Sequence, residues 1–123
     1  MNLSHALAIF IGGGAGSLAR WVLGSFIGRL ASFAPAGTLA ANILATAVLA
    51  VLVVKSGDKA SSSYLLLTVG FCGGFSTFST FSVDTYKLFA DGHTLYAVSN
   101  VLISVIACLI VAWAAHHYLN ETI

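Results

Sequence analysis

Charge is the scarcest commodity in this sequence: five Lys and Arg and four Asp and Glu make up 7% of its 123 residues. A typical globular domain carries about 25%. A helical bundle of this length would need polar outer faces to dissolve in water, and so few charges cannot cover them. A formal net charge of +1 leaves no footprint for nucleic acid or an acidic partner. The first hydrophobic segment has no acid, and its one charged residue is Arg20. That argues against proton-coupled cation export of the small multidrug type. No paired acid or nucleophile accompanies His5, His93, His116 or His117, which fall at ends and turns, so an enzyme is not expected. The adjacent His116 and His117 read as interfacial polar residues. Cys72 and Cys108 lie within apolar helical stretches and read as free thiols. No low-complexity run or long linker divides the chain, which reads as one domain over 1–123. Ala34-Pro35-Ala36 looks like a small-residue cleavage site, but the preceding segment lacks a basic start and is too long for a signal peptide. It is read as a retained first helix.

What is present is hydrophobic: 59% of residues. A hydrocarbon core about 30 Å thick needs about 20 helical residues. The expected spans are Leu3 to Ile27, Thr38 to Val54, Tyr64 to Phe89 and Leu95 to Tyr118, followed by a short polar tail. Pro35, the polar stretch from Lys55 to Ser63, and Asp91-Gly92-His93 separate them. The fold class is therefore an all-α integral membrane protein of four transmembrane helices. Lys55 and Lys59 fall on one side of the membrane, Arg29 and Lys87 on the other. The positive-inside rule needs an imbalance, and this balance permits insertion in both orientations and an antiparallel dimer of identical subunits. Gly12/Gly16, Gly24/Gly28 and Gly70/Gly74 have the small-xxx-small spacing that lets helices approach closely in lipid.

Polar groups inside a bilayer are expensive, so each is a candidate for function. Arg20 lies about two turns from the end of its span, as a snorkelling anchor or as a cation facing an aqueous vestibule. Asn42 shares a helix face with Thr38 and Thr46 and offers amide donors to an ion or to a neighbouring helix. Tyr96, Asn100, Ser104 and Cys108 recur every four residues, rotating by about 40° at each step into a slowly winding polar track. Ser104 has the alternative of bonding a backbone carbonyl of its own helix. The run Gly70-Phe-Cys-Gly-Gly-Phe-Ser-Thr-Phe-Ser-Thr-Phe-Ser82 makes a poor continuous helix. A break near Gly73 to Thr77 is expected, in a place that is buried or lines a cavity, where freed carbonyls can coordinate a cation such as sodium. Phe75, Phe78 and Phe81 recur every three residues, as packing or as rings whose positive edges face a small anion.

At these residues the sequence resembles the CrcB/Fluc family of fluoride channels over essentially its whole length. Gly12-Gly13 through Arg20-Trp21 resembles the family's first-helix motif, and Gly37-Thr38-Leu39-Ala40-Ala41-Asn42 its Gly-Thr-Leu-x-x-Asn motif. The run from Gly70 to Ser82 is similar to its signature. The resemblance implies a fluoride-selective channel in the inner membrane of a prokaryotic cell, passively exporting cytoplasmic fluoride. It also implies a dual-topology antiparallel homodimer in lipid, with two separate pores. A structural sodium ion is implied at the dimer centre, on the backbone carbonyls of Gly73 and Ser76. The family's pore residues match Phe78, Phe81 and Asn42, its hydroxyl donors Ser79 and Thr80, and its fourth-helix track Asn100, Ser104 and Cys108. Ser76 stands where threonine is usual, Asp84 replaces a common glutamate and Thr46 a common glycine. Cys108 replaces a frequent serine, and a thiol is a weaker donor.

Overall fold

The computed structural model describes residues 2–120; Met1 and the last residues of the polar tail, Glu121 to Ile123, lie outside that range. Among the described residues every regular element is helical: α1 (Leu3–Leu30), α2 (Ala36–Lys55), α3 (Ser62–Leu65), a π-helical segment (Leu66–Cys72), α4 (Gly73–Phe75), α5 (Phe78–Ala90) and α6 (Thr94–Asn120). The stretch Ser62–Ala90 holds α3 to α5, and with α1, α2 and α6 it makes four segments long and apolar enough to cross a membrane. The 28 residues of α1 run to about 42 Å at 1.5 Å each. That exceeds the hydrocarbon thickness, so α1 tilts or enters the headgroups.

The helices extend slightly past the spans expected from hydropathy, α1 to Leu30 and α2 from Ala36. Hydropathy marks the edge of the hydrocarbon, whereas backbone bonding continues until a cap stops it. Asn2 opens α1 by accepting from the Ser4 N–H at 3.1 Å, and Ser61 opens α3 by accepting from the Tyr64 N–H at 3.2 Å. The α5–α6 turn is closed by Gly92 at φ 79°. The His93 N–H bonds the Leu88 carbonyl at 2.8 Å and the Gly92 N–H bonds that of Phe89 at 3.1 Å, a pairing that requires a left-handed residue after the helix.

Packing reverses the order found in water-soluble proteins. The buried apolar residues are Ala8, Ala41, Ala45, Cys72, Phe75 and Ala97, while Phe10, Trp21, Phe26, Leu95 and Trp113 face outward. Lipid is as apolar as these side chains, so association rests on close contact between small residues. The crossing of α1 with the third span is backbone against backbone. A Cβ on Gly12 would overlap the Leu66 carbonyl oxygen, one on Gly16 that of Phe71, and one on Gly74 that of Gly13. Gly12/Gly16 and Gly70/Gly74 are thus partners of one another. The π-helical segment coincides with the part of the third span that α1 presses against. Of the remaining glycine pair, Gly24 meets Gly37 of α2, whereas Gly28 faces open space.

Candidate functional site

Local geometry at the site begins with two residues that leave the helix. Ser76 (φ −79°, ψ 159°) and Thr77 (φ −156°, ψ 113°) are extended between α4 and α5. Such residues deprive neighbouring carbonyls and N–H groups of their partners within the helix, and side chains from other helices supply replacements. The Thr77 N–H donates to Asn42 Oδ1 at 2.8 Å, and Asn42 Nδ2 donates to the Thr77 carbonyl at 3.3 Å. The Thr77 hydroxyl caps α5 by accepting from the Thr80 N–H at 3.2 Å. Arg20 Nε donates to the Gly74 carbonyl at 3.1 Å, where the C-terminal end of a helix favours a cation. In a continuing helix the Thr77 N–H would bond the Gly73 carbonyl; here it is taken by Asn42, so that carbonyl loses its usual donor.

The face shared by Thr38, Asn42 and Thr46 meets the third span. Thr38 Oγ1 donates to Asp84 Oδ2 at 3.0 Å. Thr46 turns back to the carbonyl of Asn42 at 2.7 Å. Beside them a cavity of about 280 Å³ is lined by Asn42, Ser76, Phe78, Phe81, Ser104 and Cys108, with Thr46, Thr77 and Val105. The Phe78 and Phe81 rings stand 5.6 Å apart between centroids, tilted by 41°. Phe75 belongs instead to the core with Ala41 and Ala45, so the every-third-residue stripe serves packing at one position and the cavity at two.

Ser104 behaves unlike the other hydroxyl residues of the helices. Ser25, Thr46, Thr68, Ser82 and Thr85 each donate to the carbonyl four residues earlier, at 2.7 to 2.9 Å. Ser104 is 7% exposed, and its hydroxyl has no partner. It faces the cavity with a free proton.

The remaining candidates are distributed over other spaces. Arg20 and Thr80 line a cavity of about 550 Å³ with Ser17 and Thr38. Asn100 lies with Tyr96 on a cavity of about 350 Å³, so the fourth-helix track divides between two spaces. Gly73 and Ser76 border a cavity of about 330 Å³ with Thr68 and Cys72. Ser79 is exposed, its hydroxyl 3.2 Å from that of Thr77. Cys72 and Cys108 are free thiols.

The profile of the family described as "CrcB-like protein, Camphor Resistance (CrcB)" matches residues 7–116, a range that contains every residue of these cavities. The chain belongs to the CrcB family. Curated relatives of this CrcB chain include the fluoride-specific ion channel FluC of Serratia proteamaculans, 39% identical over 116 residues, covering 92% of this chain and 91% of the relative. The protein of the same name from Geobacter sulfurreducens is 41% identical, covering 91% of this chain and 94% of the relative. That from Pyrococcus furiosus is 40% identical, covering 89% and 90%.

Two residues of this CrcB chain become prominent only in three dimensions. Thr77 receives the Asn42 clamp and caps α5, and the sole local signal was its place before Phe-Ser-Thr, a cap position ahead of a helix. Thr85 is 8% exposed and bonds both the Phe81 carbonyl and Asn100. No sequence pattern singles it out. Arg20 combines two roles, lining a cavity and capping the Gly74 carbonyl.

Proposed function

We propose that this chain is a fluoride-selective ion channel, exporting cytoplasmic fluoride passively down its electrochemical gradient and so relieving fluoride toxicity. It would act as an antiparallel, dual-topology homodimer in the lipid of a prokaryotic inner membrane, with the extended pair Ser76 and Thr77 forming the break in the third helix. The observation that carries the reading is the unpartnered, buried Ser104 hydroxyl facing Phe78 and Phe81. Fluoride is small and strongly hydrated, so a dry path must replace water with close donors. Ser104 offers its proton, and Asn42 retains one N–H beyond the bond to Thr77. The positive ring edges of Phe78 and Phe81 fill the remaining shell. Thr80, whose hydroxyl accepts from Thr77 at 3.1 Å, keeps its own proton for an anion drawn in by Arg20, and Ser79 joins the donors in the assembled dimer. The Gly73 and Ser76 carbonyls suit a structural sodium ion, because the first has lost its helical donor and the second belongs to an extended residue. Bound there, sodium would add positive potential near both pores.

Purified protein in liposomes under a fluoride gradient tests this directly. Fast fluoride efflux with negligible chloride efflux is expected; no fluoride flux, or equal chloride flux, refutes it.

A further inference from the structure

Two buried side-chain atoms have no hydrogen-bond partner among the described residues, Ser104 Oγ and Asn100 Oδ1. The first is a donor and suits an anion. The second is an acceptor, and its orientation is dictated from behind. Asn100 Nδ2 donates to Thr85 Oγ1 at 2.9 Å, and Thr85 Oγ1 donates its only proton to the Phe81 carbonyl at 2.8 Å. Thr85 can therefore only accept from Asn100, so the NH₂ end must face it. Inverting the amide would pull the Thr85 proton away from Phe81 and leave the NH₂ without this acceptor. The carbonyl oxygen is thus committed to the other side, on a residue 2% exposed that lines the cavity of about 350 Å³ with Phe33, Tyr96 and Ser99.

A carbonyl oxygen repels a bare anion and takes a donor. We propose that Asn100 Oδ1 holds a water molecule, and that this water, not the amide, is what fluoride meets at this point on its path. A water giving one proton to Oδ1 has a second to give to fluoride, so a site of the wrong polarity becomes a donor. The cavity is large against the ~30 Å³ share of one water in the liquid, and a buried water needs two to four polar partners. The Tyr96 and Ser99 hydroxyls on the same cavity supply them. Asn100 and Ser104 lie about 6 Å apart along the helix, so an ion leaving the Ser104 cavity would regain a water one turn away. This rests on the fluoride-channel reading above.

Water-edited solid-state NMR of the wild-type protein in bilayers, labelled with ¹³C-asparagine, tests hydration without relying on any variant. Transfer from water to the Asn100 side-chain carbon should be as fast as to exposed Asn2; a dry Asn100 signal overturns the proposal. In liposomes, Asn100→Leu should lower fluoride flux by about tenfold or more, the factor that accompanies one lost hydrogen bond to an ion. Chloride exclusion should persist. Wild-type flux in Asn100→Leu overturns the water's place on the path. Failure of the channel reading itself is distinguishable, because the wild type would then pass no fluoride.

Discussion

Replacing Asn42 with leucine separates the structural role of this residue from its bulk. Leucine fills nearly the same volume, so packing against α5 changes little. What disappears is the pair of bonds to Thr77, at 2.8 and 3.3 Å, leaving an N–H and a carbonyl unpaired between helices. An unmade buried hydrogen bond costs about 1–3 kcal/mol, so the pair amounts to about 2–6 kcal/mol, with the longer bond at the lower end. Thr77→Val provides the comparison, since it keeps both backbone bonds and removes only the hydroxyl cap, at about 1 kcal/mol. Unfolding in mixed micelles by sodium dodecyl sulfate, followed by the fluorescence of Trp21 and Trp113, measures both. Asn42→Leu should be the more destabilised of the two. A value within about 0.5 kcal/mol of wild type, the range of an uneventful surface change, would refute the clamp.

Three further outcomes follow from the same geometry. Gly74→Ala should destabilise or unfold the protein in the same assay, because its Cβ would overlap the Gly13 carbonyl oxygen; Gly14→Ala meets nothing within 4 Å and should be neutral or stabilising by up to about 1 kcal/mol. In the liposome assay Ser104→Ala should cut fluoride flux by about tenfold, the effect of one hydrogen bond to an ion. Ser82→Ala should leave flux unchanged, since that hydroxyl already serves the Phe78 carbonyl at 2.9 Å. Phe78→Ile keeps apolar bulk at a side chain that is 79% exposed and should preserve the fold while lowering fluoride flux; full flux would defeat the ring-edge contribution.

The sequence by itself determined the four membrane-crossing segments and the short inventory of polar groups inside them. Both are local properties: each helix satisfies its backbone bonds internally, so hydropathy and cap residues such as Asn2, Ser61 and Gly92 suffice to delimit it. Glycine spacing was equally visible, but not its use. Gly12/Gly16 and Gly70/Gly74 interlock, whereas Gly28, with the same spacing, meets nothing. Tertiary structure also decided which polar groups are already occupied. Thr85 and Ser104 are both hydroxyls on apolar helices, yet one bonds its own backbone and the other is free. Asn42 reads as a pair of donors in sequence, and only the approach of Thr77, 35 residues further on, shows that one of them holds the chain in place. The physical reason is that a hydrogen bond between helices depends on a partner far away in the chain, and no periodicity within one helix encodes where that partner arrives.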